Sequence, residues 1–111
     1  MPFDTEPRSR GCADASIQAV EVAAYTIPTD APESDGTLEW HATTIVVVAV
    51  RAAGASGLGY TYSSTAAAEL VRGALAPAIA GGDAMDVTAC DVAMRRCVRN
   101  VGRYGAAAAA V

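Results

Sequence analysis

Few side chains in this 111-residue sequence are of a type and spacing that could carry a reaction. The single histidine, His41, sits between Trp40 and an apolar run. No G-x-S-x-G elbow occurs with which it could serve a nucleophilic serine, so it reads as a strand-edge or loop residue. Carboxylates gather at Glu33, Asp35 and Glu39, but a hydrated loop leaves such groups solvated and ordinary. The glycines of GASGLG, at 54–59, imitate a phosphate loop without the helix that would follow one directly. Cys12, Cys90 and Cys97 are odd in number. Cys90 and Cys97 would stand about 10 Å apart along a helix, beyond the reach of a disulfide, and with one distant histidine a zinc site is not expected. They read as reduced, buried small hydrophobes.

The cations are eight arginines and no lysine, which removes Schiff-base chemistry and any lysine base at once. Arg95, Arg99 and Arg103 recur every four residues, with Asp91 one turn before Arg95. That is the pattern of a solvated helix face with an ion pair, or of a contact to another domain or subunit. A net charge of −4 argues against a nucleic-acid partner. Tyr60 and Tyr62 share one face of a short strand, and spacing alone leaves them as a core pair or as a ligand-facing rim. Nothing assembles a nucleophile, a base and an orienting group, so no catalytic residue is expected in this chain.

Positioning these residues falls to one domain, which this length can fold without disulfides or metal. Residues 1–15 mix Pro, Gly, Arg and acids without a period and read as a loose leader; structure begins at Ser16. Ile17 to Ile27 is β-branched and closes at Pro28, giving a first strand. Pro28 to Trp40 reads as a long acidic loop. Thr43 to Val50, TTIVVVAV, is apolar on both faces and is therefore expected to be a central strand covered on both sides. After a glycine turn, LGYTYS to Ser63 is a third strand, completing an antiparallel meander.

From Ser64 the period changes to that of a helix. Ser64 or Thr65 can cap it, with Ala67, Leu70, Val71, Ala74 and Leu75 on one face, and Pro77 with Gly81–Gly82 should end it. A second helix spans 86–102, with Thr88 and Asp91 as a capping box and Val87, Cys90, Met94, Cys97 and Val101 as its apolar stripe. Strands followed by helices define an α+β fold: a three-stranded antiparallel β-meander, then a small helical bundle. The opening MPFDTEPRSRG has no apolar signal core and no run approaches a membrane span, so a cytoplasmic protein with no membrane partner is expected.

The succession of IQAVEVAAYTIP, an acidic loop, TTIVVVAV, GLGYTYS, LAPAIAGGDAMD and MRRCVRNVGRYGAAAAA resembles the N-terminal capping domain of the enolase superfamily, in its mandelate racemase/muconate lactonizing enzyme branch, over about 16–111. The resemblance implies a cap closing the mouth of a (β/α) barrel that lies outside these residues, supplied in cis or in trans. There Mg²⁺, held by three barrel carboxylates, would stabilise an enolate formed from a small carboxylate substrate in a racemase, cycloisomerase or acid-sugar dehydratase. No metal ligand is implied in this chain. The resemblance makes Thr29, Trp40, Tyr60 and Tyr62 the substrate-facing positions, concerned with specificity and exclusion of water. The alternative expectation is a stand-alone domain, derived from such a cap, that self-associates through its Ala-rich C-terminal helix and Arg face.

Overall fold

The structure is a computed structural model and describes residues 14–101 and 109–111. The leader therefore lies almost wholly outside the described residues, as do Cys12, Arg103 and most of the alanine run. Three strands, β1 (Ile17–Ser34), β2 (Glu39–Ala52) and β3 (Ala55–Tyr62), pair antiparallel in the order β1-β2-β3. Helices follow: α1 (Thr65–Leu70), a π-helical turn (Val71–Leu75), α2 (Ala76–Ile79) and α3 (Val87–Cys97). This is the expected meander backed by helices.

The strands are longer than the sequence pattern indicated. β1 passes through Pro28, which pairs with Ala42, and ends only at Ser34. A proline is tolerated there because β1 is an edge strand, with one side outside any ladder. The expected loop from Pro28 to Trp40 thus shrinks to a turn over 35–38, where Gly36 has φ +89°. Asp35 holds that turn: its Oδ1 accepts from the Thr37 amide at 3.0 Å, the Thr37 hydroxyl at 2.7 Å and the Leu38 amide at 2.9 Å. Those three donors, the Thr37 hydroxyl foremost, hold the Asp35 carboxyl below its ordinary value. A lowered carboxylate pKa stabilises above the unfolded value and is lost as pH falls through the folded one. The Thr37 and Leu38 amide resonances should therefore titrate together with a midpoint below that of an ordinary aspartate, and Asp35→Asn should abolish that titration.

β2 and β3 join through a two-residue turn, Ala53 (φ 52°) and Gly54 (φ 74°), with Ala52 paired to Ala55. Such a left-handed pair matches strand twist and fixes the register of the whole ladder. Alternation then puts Val46, Val48 and Val50 on the helix side, opposite Thr61, Gly59 and Gly57 of β3.

On that side Val48 packs with Val71, Leu75 and Ile79 of the first helical run, Met94 and Val98 of the second, and Ile17 and Ala110 at the edges. Each fully buried aliphatic side chain contributes about 1.5–3 kcal/mol. Ser64 caps α1, accepting from the Ala66 amide at 3.3 Å. Pro77 does not end the run: the Ala76 amide reaches back to the Val71 carbonyl, the wide π-turn bond, and the helix continues to Ile79 before Gly81 (φ +77°) stops it. The link is then stitched to β1 by Ile17 N–H to Gly82 O (2.8 Å), Gly81 N–H to Ile17 O (3.0 Å) and Ala84 N–H to Ala15 O (2.9 Å).

Three expectations for the rest of the chain are corrected. Asp86, not Thr88, caps α3, accepting from the Ala89 amide at 3.0 Å. Asp86→Ala should cost about 1 kcal/mol while Thr88→Ala costs a few tenths, a contrast that paired urea melts would resolve. The inward stripe is half-buried Cys90 with buried Met94 and Val98, whereas Val87, Cys97 and Val101 are exposed. Finally, β2 is covered on one side only, since no described element packs on the face carrying Ile45, Val47 and Ala49.

Candidate functional site

β3 stops at Tyr62, opposite Ile45, whereas β1 and β2 run on. Residues beyond that point form a two-stranded arm reaching past the end of the sheet to the Asp35 turn. The arm is anchored where it leaves the sheet. The Thr26 and Thr44 hydroxyls bond across the strands at 2.9 Å, and the Ser63 amide donates to the Thr44 carbonyl at 3.1 Å. Farther out, the register slips: Pro28 pairs with Ala42 and Glu33 with Trp40, so Thr29, Asp30, Ala31 and Pro32 all lie opposite His41 alone. Bulges of this kind re-aim side chains and occur beside functional sites.

Within the bulge, Thr29 Oγ1 is buried and has no hydrogen-bond partner, the one such side-chain atom among the described residues. A hydroxyl with a donor and acceptor capacity unspent is costly unless something satisfies it. Trp40, half-buried, donates its indole N–H to Glu33 Oε2 at 3.1 Å, which fixes the ring across the arm. His41 Nε2 lies 3.6 Å from Glu39 Oε1, with both side chains exposed.

The four expected substrate-facing positions divide into two pairs. Thr29 and Trp40 belong to the arm. Tyr60 and Tyr62 stand together on β3, ring centroids 6.0 Å apart and edge to face, and both are exposed, so they are not a core pair. Alternation along β2 puts Trp40 on the side of Val46 and Val48, whereas Tyr60 and Tyr62 pair with Val47 and Ile45 on the other. The bulge and the Thr26–Thr44 bond were missed by sequence reasoning. The two prolines, at 28 and 32 within an otherwise strand-like run, were the available signal.

Among the described residues no three His, Cys, Asp or Glu side chains converge to hold a metal ion, so these residues do not fit a magnesium site and no step is assigned to one here. No described helix is long and apolar enough to cross a membrane. Arg95 pairs with Asp91 at 2.9 Å on the surface of α3.

A second opening lies at the far end of the sheet, a cavity of about 780 Å³ between the β2–β3 turn and α3, lined by Ile17, Val50, Gly57, Cys90, Met94 and Val111 among others. Residues 109–111 enter it across β3, and a methyl group on Gly59 would overlap the Ala110 carbonyl oxygen. At the described end of the alanine run Ala110 is buried and Ala109 is exposed.

No family model matches the chain, and no curated protein does. Solved structures do. A mandelate racemase/muconate lactonizing enzyme-like protein from Rubrobacter xylanophilus is 42% identical, with a TM-score of 0.78, over 83% of this chain and 26% of its own. The chain belongs to the mandelate racemase/muconate lactonizing enzyme branch of the enolase superfamily. A racemase from Streptomyces coelicolor A3(2) with bound magnesium is 29% identical (TM-score 0.75; 82% of this chain, 27% of that one). Muconate lactonizing enzyme from Pseudomonas fluorescens shares the fold at 20% identity (TM-score 0.74; 87% and 29%). The chain thus spans about a quarter of the length of the branch members it matches, and the meander with its helices is consistent with their N-terminal domain.

Proposed function

We propose that this chain is the capping domain of a magnesium-dependent enzyme of this branch, a racemase, cycloisomerase or acid-sugar dehydratase, and that it is not catalytic by itself. The observation that carries the reading is its 42% identity to a branch member of which it spans only 26%. The remaining three-quarters would be a (β/α) barrel, joined in cis or in trans, and the Mg²⁺ would be bound there. When bound, that ion would stabilise the negative charge of an enolate formed from a carboxylate substrate.

The cap's own work would be done by the arm. Closing the Thr29–Trp40 segment over a barrel mouth would exclude water, which strengthens every electrostatic interaction inside. The unspent Thr29 hydroxyl would bond a polar group of the substrate, and the Trp40 ring, held by Glu33, would supply apolar contact. Tyr60 and Tyr62, the other two proposed substrate-facing positions, pair with Val47 and Ile45 on the other sheet face from Trp40 and would act at the rim of the closed site.

The test is to combine this chain with the barrel residues of the Rubrobacter xylanophilus relative and to follow exchange of the proton alpha to the carboxylate across a library of hydroxy acids and amino-acid derivatives, with magnesium present. Exchange that needs both parts is expected, and Thr29→Val should raise KM more than it lowers kcat. An assembled pair that exchanges no acid in the library, or a chain that turns over substrate alone, would sink the reading.

A further inference from the structure

β1 lies at the edge of the sheet, and the ladder shows which of its backbone groups look outward. The Ser63 amide bonds the Thr44 carbonyl at 3.1 Å, so the even-numbered residues of β2 spend their peptide groups on the β3 side. Their partners on β1, which are Val20, Val22, Ala24, Thr26 and Pro28, therefore turn their own peptide groups away from β2. Such a row is a template for another strand. The run at 19–27, AVEVAAYTI, also has a composition that pairs readily: five β-branched or aromatic residues, no proline or glycine, and one charge. That charge, Glu21, is already paired with Arg51 at 2.9 Å, so it does not repel a second chain. Under a two-fold rotation this edge is complementary to the same edge of another copy.

Three features occupy that edge. At its start Ile17 donates to the Gly82 carbonyl and accepts from the Gly81 amide, so the link after α2 fills the first positions. Farther along, Pro28 has no N–H to offer. Between them Arg72, from the π-helical turn, reaches over the edge: its Nη2 donates to the Val22 carbonyl at 3.3 Å while its Nη1 bonds the Glu69 carboxylate of α1. The bond to Glu69 holds the planar fork in place. The guanidinium thus stands where an added strand would have to bring the amide that bonds Val22. We infer that Arg72 is an edge guard, which withholds the outer side of β1 from a second copy of the chain and so prevents the two sheets from joining edge to edge. The Arg72–Glu69 pair is exposed and adds little to stability, so its removal probes the edge and not the fold. The inference does not rest on the capping reading.

Arg72→Ala should keep the far-UV circular dichroism of the wild-type chain and, in sedimentation velocity over a concentration series, form a species larger than any the wild type forms. In that species the Val22, Ala24 and Thr26 amides should exchange with solvent at least about tenfold more slowly than in the wild type, because each would donate to the added strand. Adding Ala24→Pro, which removes an outward N–H from the middle of the edge, should reverse both changes. Arg96→Ala takes the same charge from α3 and should leave assembly as in the wild type. The inference is overturned by an Arg72→Ala chain that assembles no further than the wild type, by protection gained at Leu58, Tyr60 and Tyr62 of β3 instead, by assembly that persists in a folded Ala24→Pro double variant, or by equal assembly of Arg96→Ala. If the double variant does not fold, the exchange pattern of Arg72→Ala alone decides.

Discussion

Gly59→Ala should destabilise the chain by about 2 kcal/mol, lowering the thermal midpoint by on the order of 10 °C, while Gly57→Ala two residues away should be neutral or slightly stabilising. Both glycines lie on the helix side of β3, and neither has a positive φ, so backbone strain does not separate them. What separates them is the space each leaves. A β-carbon at Gly57 would have no heavy atom within 4 Å, whereas one at Gly59 would collide with the Ala110 carbonyl, whose carbon would be 3.2 Å away. Backbone cannot rotate aside as a side chain can, so either β3 bends or residues 109–111 lift from the sheet. Lifting them would strip cover from Ala110 and from the partly buried Val111, both of which pack with the core. Paired urea melts by circular dichroism would settle the point. Equal midpoints for the two variants would mean that residues 109–111 do not lie across β3.

The same contact illustrates what a sequence can and cannot disclose. The meander was legible because TTIVVVAV is β-branched throughout and because the period changes at Ser64, signals that depend only on neighbours in the chain. Gly57-x-Gly59 signals a close approach on one strand face, but not which segment approaches. Pro28 signals a strand end because a proline cannot donate to a ladder; that β1 is an edge, where this matters less, is a property of the sheet order. Likewise the apolar character of both faces of β2 was evident, yet a pattern cannot tell whether the cover for the second face lies in the same chain. Asp86 and Thr88 are both competent caps by type, and only the position of the Ala89 amide distinguishes them.

The candidate site divides along the same line. The spacing of Tyr60 and Tyr62 correctly put them on one face. Their separation from Trp40 follows from the register set by the Ala53–Gly54 turn and carried along β2, and no local pattern encodes it. The Thr29 bulge is less legible still, since it arises from a mismatch of four residues on β1 against one on β2.

Leu75→Ala should cost about 3 kcal/mol, the largest effect of any single truncation considered for this chain. Leu75 closes the π-turn, is fully buried, and packs in the cluster that joins Val48 of the sheet to Met94 and Val98 of α3. Removing three side-chain carbons there forfeits their transfer free energy and leaves a cavity that three separate elements would have to close together. A domain of this size has about 5–15 kcal/mol in all, so the variant should unfold at a urea midpoint lowered by a fifth or more, with the slope of the transition unchanged. Leu38→Ala is the matched control, because Leu38 is exposed on the arm and its truncation should shift the midpoint little. Were the two shifts alike, the π-turn would not be facing the sheet. The helices would then no longer fix the inner side of β2, and the Thr26–Thr44 anchor that aims the arm would lose the platform on which its direction depends.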